Sequence, residues 1–501
     1  MSDVAMIESF EMVEPPNENR VSLKLDVEKG QLAAGELHAI KGLVSLSTGQ
    51  VDEDGRPPME IVLVADRSGS MAGEKMRIMR VMMEFLVKRA LRTGDKLGIV
   101  AFDSDVTVPL PMTELDGDGK GAAAAYAAIE GIHVGSTTNL SGGLLKGIDE
   151  LNGAPGTPGA TRAILLFTDG IANGGIREPS DVAEAIAGAM RGQRSKVFTF
   201  GFGDDAEEEM LKTIAETTEG QYYHVANEER IAHAFGDCVG GLLSVVAQNV
   251  TLTLSHYAQA TLAKVHGSYP TKVDPASQTT VVELGDLYAE EKKNLLLDLT
   301  VPRLEAPVGS EDVLFASLTF FDAREHRRVT TSTTLRIARP ETTPADQPVH
   351  LEIDEQINRL RLVDAMEQAT GTADDGDVAA GRQLLQDAVA AVLRSPSGGG
   401  AAGGPPTPLV RAIVDDARRL DAGFESMAVY HARGGKASKS AAQALRVERS
   451  STDSSHQYQN SSKASYIALA AEAAEAPKPP GLRRQTEHIA PPAPKRQAAA
   501  P

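Results

Sequence analysis

Asp66-Arg-Ser68-Gly-Ser70 sets three oxygen-bearing side chains two residues apart. Alternate residues of an extended loop point the same way, so the three oxygens can converge on one small hard cation. Hydroxyls suit Mg²⁺ or Mn²⁺ but not zinc. Ser70 has a second possible use, as the cap of the helix that follows. Two later stretches carry matching chemistry. His133-Val-Gly-Ser-Thr-Thr138-Asn139-Leu140 is a polar loop that leads into a helix. Arg162-Ala-Ile-Leu-Leu-Phe-Thr168-Asp169-Gly170 is an apolar run that ends in a carboxylate and a glycine, as the first one does. If the strands before these loops are neighbours, Asp66, Ser68, Ser70, Thr138 and Asp169 can face one point.

The elements around them are those that would position such a site. Ile61 to Ala65 is apolar and rich in β-branched residues, the pattern of a parallel strand buried on both faces. Glu74 to Leu91 has helical periodicity, with Met76, Met79, Met83, Leu86 and Ala90 on one face. Asp66, Ser68 and Ser70 therefore sit at the carboxyl end of a strand, where open α/β sheets bind ligands. From Met59 strand and helix alternate. Strands are expected at 96–102, 106–110, 162–168, 196–202 and 221–225. Helices are expected at 122–129, 140–151, 181–190, 207–217 and 229–246. Repeated βα units of this kind give an α/β fold, a doubly wound and mostly parallel sheet covered on both faces, here over 59–246.

The texture on either side has period two. Strands are expected at 21–27 and 37–46, and again from Val250 through 279–284, 293–301, 313–321 and 329–337. Two arrangements stay open. Residues 20–57 and 249–340 can form one β-sandwich with the α/β block inserted, or two separate small β units. Helical signals return at 350–433, interrupted by the Gly/Pro linker 395–408. Residues 1–19 and 434–501 read as disordered from their composition, with Ser465 to Ala474 able to form a transient Ala-rich helix.

The Asp-x-Ser-x-Ser loop, the later threonine loop and the strand ending Thr168-Asp169-Gly170 together resemble the metal-ion-dependent adhesion site of von Willebrand factor A domains. The resemblance covers about residues 59–246. It implies that Ser68, Ser70 and Thr138 coordinate Mg²⁺ directly, with Asp66 and Asp169 acting directly or through water. One departure is Gly135-Ser-Thr-Thr138-Asn139, where two adjacent glycines are more usual; Asn139-Leu140 selects Thr138 over Thr137. Strands, β unit, helices and the Ser/Gln tail also resemble the layout of intracellular von Willebrand A proteins, some of which add a RING domain for ubiquitin transfer. A RING needs seven or eight Cys/His ligands, and this chain has one cysteine, Cys238.

The expected function is binding rather than catalysis. Three neutral hydroxyls and at most two carboxylates leave a divalent ion with residual positive charge, which an Asp or Glu of a partner protein can meet. No catalytic base is evident, and His133 reads as a loop histidine. At 501 residues and a net charge of −19, nucleic-acid binding is disfavoured and acidity reads as solubility. No stretch has the length of a membrane span, and a lone cysteine needs no oxidising compartment, so a cytoplasmic setting is expected. Asp116-Gly-Asp118-Gly-Lys120 departs from an EF-hand at its fifth position. Gly201-Phe-Gly203 lacks the third glycine of a dinucleotide loop. The competing readings are a metal-independent scaffold and an adaptor for a ubiquitin-ligation-type complex.

Overall fold

The computed structural model describes residues 21–50, 56–169, 172–191, 195–203, 207–225, 228–257, 260–400, 404–449 and 458–475. The expectations for 1–19, for Gly170 and for the chain after 475 lie outside the described residues.

Two strands come first, β1 (Ser22–Val27) and β2 (His38–Ser47). The α/β block follows: β3 (Met59–Asp66), α1 (Glu74–Phe85), β4 (Lys96–Phe102), β5 (Val106–Glu114), α2 (Lys120–Glu130), α3 (Leu140–Gly153), β6 (Thr161–Thr168), α4 (Pro179–Met190), β7 (Lys196–Phe202), α5 (Glu208–Thr217), β8 (Tyr222–Val225) and α6 (Glu228–Leu243). Its sheet runs β5-β4-β3-β6-β7-β8, parallel except for the hairpin that adds β5 at the edge. Every residue of β3 is buried. Its side chains alternate, as strand geometry requires. Ile61, Leu63 and Ala65 join the core with α1 and α6, while Val62 and Val64 join the core with α3, α4 and α5. The chain leaves β3 toward β4 on one side and reaches β6 on the other, so the ends of β3 and β6 lie side by side where the winding reverses. Helix α3 sits hard on the sheet. A Cβ on Gly147 would stand 2.5 Å from Val64, and one on Gly143 2.5 Å from Phe102. That close approach brings the loop before α3 down to the ends of β3 and β4.

Seven further strands follow: β9 (Val245–His256), β10 (Thr261–Val265), β11 (Thr271–Asp274), β12 (Thr279–Tyr288), β13 (Lys292–Val301), β14 (Val308–Asp322) and β15 (Arg327–Arg339). They form a five-stranded sheet, β11-β12-β9-β14-β15, and a four-stranded one, β1-β2-β13-β10. In the smaller sheet β2 pairs antiparallel with β13, His38 opposite Val301 and Ser47 opposite Lys292. Val44, Leu46, Leu252, Leu295, Leu297 and Leu318 share one core. The α/β block is thus inserted into a single sandwich. Strand β5 runs past the expected Leu110 to Glu114, and the short β10 and β11 have too few residues for a period to show.

The C-terminal part holds α7 (Leu351–Asp374), α8 (Val378–Leu393), α9 (Pro408–Asp421), the single turn α10 (Met427–Val429), α11 (Gly435–Val447) and α12 (Ser461–Glu475). The last two correct the reading of 434–501 as disordered over Gly435–Val447 and Ser461–Glu475, the second enclosing the Ala-rich helix expected at Ser465 to Ala474. Ala441, Ala442 and Leu445 of α11 are buried with α7 and α9, and Glu448 meets the buried Arg359 at 3.6 Å and accepts from the Asn294 N–H at 2.6 Å. Helix α12 lies against α6 and α1. A Cβ on Gly236 would stand 2.6 Å from the Ile467 Cα, and one on Gly240 2.6 Å from the Lys463 Cα. The glycines leave little apolar area of their own, but they allow the two backbones to come this close.

Candidate metal centre

Asp66 ends β3 with no exposure. Its Oδ1 accepts the Ser68 N–H at 2.7 Å, and its Oδ2 accepts the Thr168 hydroxyl at 2.6 Å. Burial pushes the Asp66 carboxyl above its ordinary range; the Thr168 and Ser68 hydrogen bonds act the other way, and the nearby Asp169 adds to the rise. Asp66 is therefore a buried acid whose negative charge lacks full compensation.

The chain then makes a single 3-10 turn, Gly69–Met71, before α1, whose cap is Gly73 at φ +90°. Ser70 does not cap that helix. Its hydroxyl donates to Asp169 Oδ1 at 2.7 Å and lies 3.2 Å from the Ser68 hydroxyl. Asp169 follows β6 directly and is buried, and its Oδ2 receives the Lys75 ammonium from the first turn of α1.

The middle loop is tied to the first by its backbone. The Gly69 N–H donates to the Ser136 carbonyl at 2.9 Å, and the Gly135 N–H to the Arg67 carbonyl at 2.6 Å. Thr138, two residues on, is buried. Its N–H donates to Asn173 Oδ1 at 2.9 Å, and its carbonyl accepts from the N–H groups of Asn173 and Gly174 at 3.0 and 3.1 Å. Asn139 then caps α3 by accepting from the Gly142 N–H at 3.1 Å.

Asp103, just past β4, organises this corner. It accepts from Arg67 Nη2 at 3.0 Å, from the Asp105 N–H at 3.0 Å and from the Ser136 N–H at 3.1 Å. Burial opposes its ionisation, but the two backbone donors and the Arg67 guanidinium outweigh it and hold its carboxyl below the usual range. A Cβ on Gly135 would fall 1.8 Å from Asp103 Oδ2, so the loop fits only as glycine.

The structure thus joins Asp66, Ser68, Ser70 and Asp169 in one hydrogen-bonded chain and fixes the Thr138 loop beside it. His133 is exposed and makes no part of it. Thr168, Asn173, Asp103 and Lys75 are additions to the sequence reading. Asp103 and Thr168 carried a signal, being polar residues at the carboxyl ends of apolar strands; Asn173 and Lys75 carried none. The donor set is all oxygen, mostly neutral, with two buried carboxylates, which fits a small hard cation. Elsewhere, Asp26, His350 and Glu352 also cluster, but the Lys24 ammonium lies 2.8 Å from Asp26 there.

Comparison with known proteins agrees with the fold of the α/β block. The von Willebrand factor type A domain family matches residues 60–237. An uncharacterised protein of Synechocystis sp. is 28% identical over 295 residues, 57% of this chain and 67% of its own length. The E3 ubiquitin-protein ligase WAV3 of Arabidopsis thaliana is 29% identical over 260 residues, 50% of this chain but 32% of its own length. Among solved structures, a von Willebrand factor type A protein from Catenulispora acidiphila superposes with a TM-score of 0.59 at 17% identity, covering 82% of this chain and 98% of that one. That likeness reaches beyond the α/β block into the sandwich and helices, and it is a likeness of fold. With a doubly wound sheet, three loops meeting at its reversal point and the family match over the same residues, the inserted block is a von Willebrand factor type A domain.

Proposed function

We propose that this protein is a divalent-cation-dependent binding module that captures an acidic side chain of a partner protein. Asp66, Ser68, Ser70, Thr138 and Asp169 would hold Mg²⁺ or Mn²⁺. The observation that carries the reading is the Ser70–Asp169 hydrogen bond, which draws the first and third loops to one point while the Gly69–Ser136 bond draws in the second. The bound ion would supply a positive charge only partly neutralised by the protein. The chain's own residues preorganise the cradle: Thr168 and the Ser68 N–H aim the Asp66 carboxylate, and Asp103 holds the threonine loop. Binding is favoured over catalysis because the carboxylates beside these hydroxyls are the ones the cation would take, and among the described residues no histidine joins their hydrogen-bonded chain. The single buried Cys238, its thiol pushed well up by burial, is compatible with a reducing cytoplasm. No helix among the described residues is long and apolar enough to cross a membrane.

The test is affinity capture with Mn²⁺ against EDTA, read by mass spectrometry and paired with calorimetric Mn²⁺ titration. Partners should be lost with EDTA and with Asp66→Ala alike. Partners that stay bound under both conditions would leave a metal-independent scaffold. Ubiquitin-pathway enzymes among EDTA-sensitive partners would give the module an adaptor role, the reading favoured by its likeness to WAV3.

Asp103 gives a second check. Asp103→Asn keeps the size of the side chain but weakens its hold on Arg67 and the Ser136 N–H. Cation affinity should fall about tenfold, the scale of losing an outer partner of a ligand, and the Gly135 and Ser136 amide resonances should broaden.

A further inference from the structure

We infer that Lys75 is a tethered competitor of the divalent cation, an internal ammonium that must give up Asp169 before the ion can be held. The inference rests on the proposed five-oxygen site and adds a control over its filling.

The two oxygens of Asp169 are divided. Oδ1 takes the Ser70 hydroxyl, a donor from within the site, and Oδ2 takes the Lys75 ammonium. The carboxylate is wholly buried, while the lysine side chain keeps 31% of its surface exposed. Lys75 thus reaches in from the rim to neutralise a charge that would otherwise lie buried and unpaired. Its place in the chain makes that pairing purposeful. Lys75 is the second residue of α1, where exposed N–H groups carry partial positive charge and acidic side chains are the favoured ones. A lysine there gains nothing from its own helix and is held by the carboxylate.

A divalent ion on the hydroxyls of Ser68 and Ser70 would share Asp169 with this ammonium. Two positive charges on one carboxylate repel, and the repulsion grows as water leaves the site. The lysine can yield, because its long flexible stem lets the head swing to solvent; an arginine fork would stay paired. Lys75 therefore keeps the cradle assembled without an ion and raises the ion concentration at which it fills. A partner carboxylate, arriving as a further ligand, would tip the balance toward the ion, so cation and partner would bind together more readily than either alone.

The experiment is calorimetric Mn²⁺ titration of the chelator-stripped full chain at constant pH, with thermal melts alongside. Lys75→Met should tighten Mn²⁺ binding about tenfold, the effect of one close like charge removed. Its melting temperature without metal should fall, because Asp169 loses its partner, and Mn²⁺ should raise it by more than in the wild type. Lys75→Arg should bind Mn²⁺ no better than the wild type. Lys264→Met, on an exposed position of β10, controls for the loss of one positive charge and should change nothing. Equal or weaker Mn²⁺ binding by Lys75→Met would overturn the competition and leave the metal site standing. No Mn²⁺ uptake by any of these proteins would overturn both.

Discussion

Asp66→Asn will remove divalent-cation binding and leave the apo protein as stable as the wild type or slightly more so. Asp66 has no exposure, and burial raises its carboxyl pKa. For an acid whose folded pKa is raised, ionisation is costlier in the folded chain than in the unfolded one. Its contribution is most favourable at acid pH and is lost as pH rises through the folded value. At neutral pH in EDTA the charge therefore opposes folding, and a neutral amide of the same shape relieves it. The amide oxygen can still accept the Ser68 N–H. For the cation the balance reverses, because one of two carboxylates is gone. Mn²⁺ affinity should drop by at least about a hundredfold, beyond the usual cost of losing an outer partner. Melting in EDTA should show the variant level with the wild type, while a saturating cation at about a hundred times its Kd should stabilise only the wild type, by about 2.7 kcal/mol. A variant that unfolds in EDTA would make Asp66 a structural residue; one that still gains stability from Mn²⁺ would end the proposed metal role.

What the sequence reveals here follows from where burial constrains it. A strand buried on both faces admits no polar side chain until it leaves the sheet, so Asp66 and Asp169 stand out at the ends of apolar runs. Helix-to-strand alternation then gives the doubly wound sheet, and with it the expectation that such ends meet. The pairing of the outer strands is different. Strands 22–27 and 38–47 show a period of two, but a period names no partner; only the β2–β13 register, closed across the inserted block, turns two β units into one sandwich. Lys75 is invisible for a related reason. A lysine on the first turn of a helix reads as a solvated charge until the fold sets β6 beside it. The C-terminal helices fail on composition. Alanine, serine and lysine imply a chain without a core of its own, which is correct for α12 taken alone. Its core is borrowed from Gly236 and Gly240 of α6, two positions that read only as weak helix formers.

That borrowed core makes Lys463→Ala the second large effect. Lys463 lies on α12 with 3% of its side chain exposed, and its ammonium stands 3.0 Å from Asp237 Oδ2 on α6, itself 1% exposed. The Tyr223 hydroxyl donates to the same oxygen at 2.8 Å, and burial pushes its own pKa far up, so it remains a donor at any physiological pH. A neutral hydroxyl does not replace an ammonium beside a buried carboxylate. Removing one member of a buried pair costs roughly 3–5 kcal/mol, mostly the penalty of the charge left behind. At about 1 °C per kcal/mol for a chain of this size, the melting temperature should fall by roughly 3–5 °C. The double variant Asp237→Asn/Lys463→Met removes both charges and keeps the volume, and most of the loss should return, since replacing such a pair as a unit is often near neutral. Cation affinity should be unchanged in both, because neither Lys463 nor Asp237 belongs to the hydrogen-bonded chain of Asp66, Ser68, Ser70 and Asp169. Recovery in the double variant separates a lost ion pair from a merely disturbed helix contact. A single variant that melts with the wild type would mean that α12 is not held to the α/β block by its buried charge, and that the close backbone packing on Gly236 and Gly240 is enough.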